Sequence, residues 1–236
     1  MIARGVVSRI YGRDAPVPAA PRILRSSSYP PVDDSHHCPT CGAPLRIKNR
    51  FVKAVTCEFC GQVSLYDGVR LDPTGRTASL AQLKSPLFLD ATGTLGARDF
   101  RAVGRLVYEY DGGTWQEWFL DLGGDERAWL VEDEGEFSVL QKQPLDRAPA
   151  FDSLRPGDEI DLAGRRVTVT EIGEATIVSA EGQLGTEILP GETIAYVDGA
   201  SGDEEVGLEY GEREVELFVG RPVPREALSI DPDPFS

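Results

Sequence analysis

Two Cys-x2-Cys pairs near the N-terminus constrain the fold of this 236-residue chain more than any other feature. Cys38 and Cys41 form the first pair, Cys57 and Cys60 form the second, and fifteen residues separate the two pairs. Four thiolates at this spacing complete a tetrahedral shell and leave no open position for water or substrate. The spacing therefore predicts a small zinc ribbon that holds one structural zinc ion, with iron as the less favoured metal.

The segment between the pairs is expected to bring them together. Leu45–Ile47 and Phe51–Val55 are predicted to form a hairpin. Two disulfides are the alternative, typical of secreted proteins, but the N-terminus lacks the apolar core of a signal peptide. His36 and His37 adjoin the first ligand and are interpreted as solvated flanking residues, because four cysteines already suffice.

Charge is distributed unevenly along the chain. Residues 1–62 hold nine basic and four acidic side chains, net +5, whereas residues 63–236 hold 15 basic and 35 acidic ones, net -20. The acidic part is not expected to bind nucleic acid or an anionic membrane, but the first 62 residues leave a nucleic-acid contact open. No run approaches the roughly 18 apolar residues of a membrane helix, so we expect no membrane insertion and a cytoplasmic location.

Changes in composition predict six successive parts. They are a flexible basic arm (1–37), the zinc ribbon (38–66), a linker with a turn at Asp72–Gly75 (67–86), a first β unit (87–145), a second β unit (146–225) and an acidic C-terminal tail (226–236).

Alternating side chains and short apolar runs, bounded by turn residues, predict strands throughout the two β units. The first unit is expected to be a four-stranded antiparallel meander, with strands within Leu106–Tyr110, Trp118–Leu122, Ala128–Val131 and Phe137–Leu140. The second is expected to contain Glu159–Leu162, Arg166–Ile172, Ala175–Ala180, Thr193–Tyr196 and a hairpin of Glu205–Tyr210 with Glu214–Val219. The glutamates of that hairpin, Glu205, Glu209, Glu214 and Glu216, are expected to face water.

The predicted fold class is mainly β, a zinc ribbon followed by a two-unit antiparallel body that forms a sandwich or a barrel. Phe100-x-x-Val103-Gly104 recurs as Val169-x-x-Ile172-Gly173. An internal duplication is one interpretation of this repeat, and chance similarity between strands bounded by glycine is the other.

The composition also excludes several kinds of chemistry. No histidine or cysteine follows residue 60, so the β body has no Ser-His-Asp triad, Cys-His pair or imidazole metal site. The acidic segments Glu132–Glu136 and Asp203–Glu205 lack the spacing of a calcium loop and are interpreted as solvated turns. We therefore predict no catalytic or cofactor-binding residues and no enzymatic activity.

Aromatic residues concentrate in the first β unit, where three tryptophans exceed what one small sheet face easily buries. One or two of them are expected to form a partner surface that suits a basic or amine-bearing group. The candidate residues are Trp115, Glu117, Trp118, Trp129, Glu132, Asp133 and Glu134.

The same aromatic and acidic pattern resembles a known family. It runs through Gly104–Gly113, Trp115-x-Glu117-Trp118 and Ala128–Gly135, and continues in Val169–Gly173, Glu181–Leu184, Pro190–Glu192 and Tyr196–Asp198. These segments resemble the uncharacterised bacterial family called domain of unknown function 4178, over roughly residues 65 to 225. The resemblance implies that a preceding zinc ribbon is a common arrangement, and it supplies no catalytic residues. It also implies gene neighbours that include an aminopropyltransferase-like protein, small membrane proteins and phage-shock-type coat proteins.

Together these features predict a non-enzymatic zinc-ribbon binding or scaffold protein. Its acidic, tryptophan-bearing body would engage a protein partner, within a membrane-stress or polyamine-linked assembly that the resemblance implies. Two alternatives stay open. One is a nucleic-acid-associated factor that uses the ribbon and the basic arm, and the other is an enzyme or accessory subunit acting on a cationic small molecule.

Overall fold

The computed structural model describes residues 33–48, 50–78, 83–187 and 189–232. These residues form sixteen strands and two short 3-10 turns, Phe151–Ser153 and Arg225–Ala227. The strands are β1 (Asp33–His37), β2 (Pro44–Ile47), β3 (Ala54–Thr56), β4 (Gln62–Tyr66), β5 (Leu71–Thr77), β6 (Thr92–Leu95), β7 (Arg98–Tyr110), β8 (Gly113–Asp121), β9 (Arg127–Asp133), β10 (Glu136–Gln143), β11 (Glu159–Leu162), β12 (Arg165–Leu184), β13 (Thr193–Ser201), β14 (Glu204–Tyr210), β15 (Val215–Val223) and β16 (Leu228–Ile230).

Eight antiparallel strands close into a barrel. Their order is β7-β8-β9-β10-β15-β14-β13-β12, and β12 pairs with β7 to complete the ring. The mainly β class and the four-stranded meander β7 to β10 are thereby confirmed, and the barrel is the form that the body takes. The two predicted β units share one core, because β10 of the first pairs with β15 of the second from Phe137↔Val223 to Gln143↔Leu217.

Large aromatic side chains fill the barrel. Tyr108 lies opposite Trp115 in the β7–β8 ladder, and their rings stack with centroids 4.7 Å apart. Phe119 lies opposite Trp129 in the β8–β9 ladder, with centroids 4.9 Å apart. Directly opposed residues share one face of a sheet, so these pairs all point into the barrel.

The outer face of the barrel is also covered by apolar residues. The segment 145–162 packs on one side, where it buries Val197, Leu208 and Leu217. The segments 87–95 and 228–230 pack on the other side, over Trp118 and Leu130. Most barrel strands are therefore buried on both faces.

Two glycines mark the point at which β12 leaves the barrel. Gly182 is the last β12 residue paired with β7, opposite Gly104, and the next two residues pair with β3 instead. A Cβ on Gly104 would lie 2.1 Å from the carbonyl oxygen of Gln183, and Gly182 has a φ of +69°. Only glycine fits this close approach of two backbones. The single strand β12 consequently belongs both to the barrel and to the cysteine-containing sheet.

Several predicted boundaries are wrong because edge strands pair outside the predicted elements. The segment 67–86 was expected to be a linker, but it contains β5, which pairs with β4; Asp72–Gly75 lies within this strand. Its proline is tolerated because β5 is the edge strand of its sheet. The acidic tail 226–236 contains β16, which pairs with β6. Of the predicted arm, residues 33–37 form β1, and residues 1–32 lie outside the described part of the chain.

The second β unit differs from expectation in two respects. Arg166–Ile172 and Ala175–Ala180, predicted as separate strands, belong to the single strand β12. Glu209 and Glu216 were expected to face water but are buried, because barrel closure turns their face of the β14–β15 hairpin inward. Glu216 accepts a hydrogen bond from Lys142 Nζ, and burial raises the pKa of its carboxyl. The suggested internal duplication stays a prediction.

Among the residues described, no helix has both the length and the apolarity needed to cross a membrane.

Candidate metal centre

Each cysteine pair lies in a tight turn that closes its own hairpin. In the first turn the Gly42 N–H donates to the Cys38 carbonyl over 2.9 Å, and in the second the Gly61 N–H donates to the Cys57 carbonyl over 2.8 Å. Both glycines have a positive φ, +75° and +73°. The two turns thus have the same backbone design, and each directs two sulfurs toward the other turn.

The four sulfurs lie within 4.8 Å of one another. The Cys38 and Cys60 sulfurs are 3.7 Å apart, and so are those of Cys41 and Cys57. Four sulfurs placed about 2.3 Å from one metal ion at tetrahedral angles would be about 3.8 Å apart. The predicted ligands are therefore together, and their spacing fits one metal ion in a tetrahedral site.

The centre is half enclosed. Cys38 and Cys57 are buried against Leu45, Val52 and Val55, whereas Cys41 is exposed. Burial alone would raise the pKa of the Cys38 thiol, but backbone hydrogen bonds from Cys41 and Thr40 outweigh it and lower that pKa to about 7. The Cys38 sulfur is thus available as a thiolate near neutral pH, which is the form that binds metals, whereas burial raises the pKa of the Cys57 thiol.

The predicted hairpin between the pairs is not formed. β2, which contains Leu45–Ile47, pairs with β1, and β3 pairs with β4 on one edge and with β12 on the other. Each cysteine turn closes a local hairpin, so β2 and β3 lie in different sheets. We call Asp33–Thr77, which spans β1 to β5, the cysteine ribbon.

The cysteine ribbon is built into one end of the barrel. Ala54 and Val63 are fully buried within the cluster that fills the barrel. The Lys53 N–H donates to the Leu184 carbonyl over 2.8 Å, and the Thr56 hydroxyl donates to the Ala180 carbonyl over 2.9 Å. Backbone pairing, packing and a side-chain hydrogen bond therefore hold ribbon and barrel together.

The basic side chains of the ribbon contact acidic side chains of the barrel and of the segment beside it. The ion pairs are Lys48–Asp90, Arg50–Asp125 and Lys53–Glu214. In one further contact the basic side chain belongs to the barrel, because the Arg127 guanidinium lies 4.2 Å from the ring centroid of Phe51 in the ribbon. The opposite charges of the two parts of the sequence thus meet within one molecule, where each exposed pair contributes about 0 to 1 kcal/mol.

The residues predicted to form a partner surface do not share one exposed face. Trp115 and Trp118 are each 1% exposed and Trp129 is 7% exposed. Trp115 and Trp129 point into the barrel, whereas Trp118 packs outside it. Glu117 and Glu132 are buried as well, and within this set Glu134 alone is exposed. A closed barrel with a covered exterior provides two apolar faces, enough to bury all three indoles.

The buried carboxylates of this set bind the indoles. Trp115 Nε1 donates to Glu117 over 2.9 Å, and Trp118 Nε1 donates to Glu132 over 3.2 Å. The Arg105 guanidinium lies 5.1 Å from the ring centroid of Trp118. The cation–π position that was expected for a partner's amine is taken by the chain's own arginine.

Glu132 gives the stability a specific pH dependence. Burial raises the pKa of its carboxyl, although Ser85 and Trp118 donate hydrogen bonds to it. The folded-state pKa lies above the unfolded value of about 4.3. The contribution of Glu132 to the free energy of unfolding is therefore complete below about pH 4.3 and is lost as pH rises through the folded pKa. We expect Glu132→Gln to gain stability relative to the wild type as pH rises from about 4 to neutrality.

Urea denaturation at a series of pH values measures this difference, and Glu134→Gln, an exposed neighbour, is the matched control for loss of one carboxylate. A Glu132→Gln curve parallel to that of the wild type would contradict the expectation.

Gln183, a buried residue of β12 that binds the ribbon, is not among the predicted site residues. Its position is 123 residues beyond Cys60, so no local spacing relates it to the metal ligands. The one signal was its place in the segment Glu181–Leu184 of the family pattern.

The chain is similar to a known protein family. The family model described as "Domain of unknown function (DUF4178)" matches residues 89–225, more than half of the chain, and covers the whole barrel. No curated protein and no solved structure matches the chain. In this chain, a cysteine ribbon that could hold a metal ion precedes the barrel. Because the family model matches more than half of the chain, the protein belongs to the DUF4178 family.

Proposed function

We propose that this protein is a non-enzymatic, cytoplasmic binding or scaffold protein in which one structural zinc ion, held by Cys38, Cys41, Cys57 and Cys60, fixes the cysteine ribbon on the end of the barrel. The observation that carries the proposal is the fit of the four sulfurs to a tetrahedral metal site. Zinc is the metal that most often takes four thiolates in such ribbons, and it needs no redox partner.

The absence of histidine and cysteine beyond residue 60 supports a non-enzymatic role. Nucleophilic and acid–base mechanisms that depend on these side chains would need a residue donated by a partner. A zinc ion with four cysteine ligands has no open position, so it would organise the chain and would not activate water.

A protein partner is favoured over nucleic acid by the distribution of charge. Lys48, Arg50 and Lys53 lie between the cysteine pairs, where a nucleic-acid reader would use them, but each already pairs with an acidic side chain. Residues 63–236, which include the barrel, carry 35 acidic and 15 basic side chains, and this net negative charge would repel a phosphate backbone. An acidic surface of this kind suits a partner with a basic face.

Metal content tests the first part of the proposal. The full-length protein, purified without added chelator, is expected to contain one zinc ion per chain by elemental analysis. Glu58→Ser, an exposed change within the second cysteine turn, should keep that stoichiometry. A chain that folds and contains no metal would refute the structural zinc ion.

Nucleic-acid binding tests the alternative. Titration of full-length protein into labelled double-stranded DNA and single-stranded RNA at low salt is expected to give no saturable change in anisotropy. Binding that weakens steeply as the salt concentration is raised would instead support a nucleic-acid-associated function.

Affinity purification from the native host tests the partner. We expect one protein to co-purify in a fixed ratio, and to be lost when the exposed carboxylates Glu134 and Glu136 are both changed to glutamine. The matched control is Asp72→Asn, an exposed carboxylate of the ribbon, which should retain the partner. Recovery of the chain alone would count against the scaffold role.

A further inference from the structure

One side chain of the barrel strand β12 contacts the segment that joins the two cysteine turns. Gln183 is 4% exposed and pairs through its backbone with Val55 of β3. Its side-chain Oε1 accepts a hydrogen bond of 2.7 Å from the Lys48 N–H, and its Nε2 donates to the Arg46 carbonyl. The amide group therefore meets one donor and one acceptor of the ribbon backbone, as a neighbouring strand would.

Gln183 thereby holds both halves of the metal centre. Arg46 belongs to β2, the strand that follows the first cysteine turn, and Val55 belongs to β3, the strand that precedes the second. The backbone of Gln183 binds the second half and its side chain binds the first. No strand pairing joins β2 directly to β3 in the part of the chain that the structure describes.

The separation of the two cysteine turns consequently depends on contacts between their hairpins. These include the packing of Leu45 against Val52 and Val55, the hydrogen bond and ring contact of His36 with Tyr66, the two hydrogen bonds of Gln183 and, when it is bound, the metal ion itself. A group that holds ligands at their bound spacing lowers the conformational entropy lost on binding, and so raises affinity.

We propose that Gln183 is a positioning residue for the metal centre, and that it couples metal binding to the end of the barrel. The proposal rests on the proposed function only in requiring that the four cysteines bind zinc. Coupling free energies are reciprocal. If the barrel raises zinc affinity through Gln183, then zinc must in turn stabilise the contacts between β12 and the ribbon.

Zinc affinity of full-length variants tests the first half of this statement. Competition with a chromogenic chelator should show zinc binding about tenfold weaker in Gln183→Met than in the wild type, since two hydrogen bonds are lost while the side-chain volume is kept. The matched control is Gln141→Met, an exposed glutamine on β10, which should bind zinc like the wild type. Equal zinc affinity in Gln183→Met and the wild type would overturn the proposal.

A purely structural role of Gln183 would give a different result. It would lower the Tm of the zinc-loaded and the chelated protein by the same amount, and would leave zinc affinity unchanged. Positioning requires that the increase in Tm on adding zinc be smaller in Gln183→Met than in the wild type.

Hydrogen exchange in the wild type tests the second half and needs no variant. Chelation is expected to speed exchange of the Lys48 and Lys53 amides, which donate to Gln183 and Leu184, and to leave the distant β10–β15 ladder protected. Unchanged protection at both lysines would overturn the coupling. A wild type that binds no zinc refutes the proposed function and this inference together, whereas normal zinc binding with unaffected Gln183→Met refutes the inference alone.

Discussion

Replacement of Cys57 by serine is expected to abolish stoichiometric zinc binding and to destabilise the full-length protein strongly. Cys57 is 1% exposed, and its sulfur lies 3.7 Å from that of Cys41. Among the described residues, the group that could hold a metal ion here consists of the four cysteines, with no histidine or carboxylate close enough to replace one of them. At free zinc a thousandfold above the dissociation constant, loss of binding removes about 4 kcal/mol from the free energy of unfolding.

Urea denaturation with and without a strong chelator measures this effect. The chelator should lower the stability of the wild type toward that of Cys57→Ser and should leave the variant unchanged. Glu58→Ser, which introduces the same side chain one position away at an exposed site, is the control and should respond to chelation like the wild type. Equal chelator sensitivity in Cys57→Ser and the wild type would show that the cysteines are not the metal ligands.

The second large effect is expected at the point where β12 passes from the barrel to the ribbon. In Gly104→Ala the new Cβ would lie 2.1 Å from the oxygen and 2.7 Å from the carbon of the Gln183 carbonyl. Both are backbone atoms within a paired strand, so neither can yield without separating β7 from β12 or β12 from β3. We expect a loss of about 3 kcal/mol or more in the free energy of unfolding, at the upper end of overpacking effects.

Gly207→Ala is the matched control, because Gly207 is also a strand glycine of the barrel but the nearest atom to its Cβ is 3.6 Å away. Its free energy of unfolding should change by less than about 1 kcal/mol. Chemical denaturation of the two variants side by side gives the comparison, and similar stability of both would mean that the two backbones are not in such close contact.

Local patterns predicted the local parts of this molecule. The spacing of Cys38, Cys41, Cys57 and Cys60 predicted four adjacent sulfurs, because each pair is set by a tight turn. The alternation in Leu106–Tyr110 predicted a strand, which is the C-terminal part of β7. Hydrophobic period and turn chemistry act over a few residues, and such signals can be read from a single sequence.

Predictions that depended on long-range closure were wrong. Nothing near Glu216 indicates that its face of the hairpin points into a barrel, since that follows from pairing of β7 with β12. Burial of Trp118 depends on the segments 87–95 and 228–230, which precede and follow the barrel strands in the sequence. The hairpin expected between the cysteine pairs does not form, because β3 pairs with β12, a strand more than a hundred residues away.

The strand shared by barrel and ribbon also orders the events of synthesis. Val55 pairs with Gln183, so these partners lie 128 positions apart along the chain. At a translation rate of about 5 to 20 residues per second, the second cysteine turn is made roughly 6 to 26 s before its partner strand. During that interval all four cysteines have been synthesised, whereas the edge of β3 that pairs with β12 still lacks its partner strand. The metal centre is therefore the first part of the fold that can assemble, and the barrel is completed upon it.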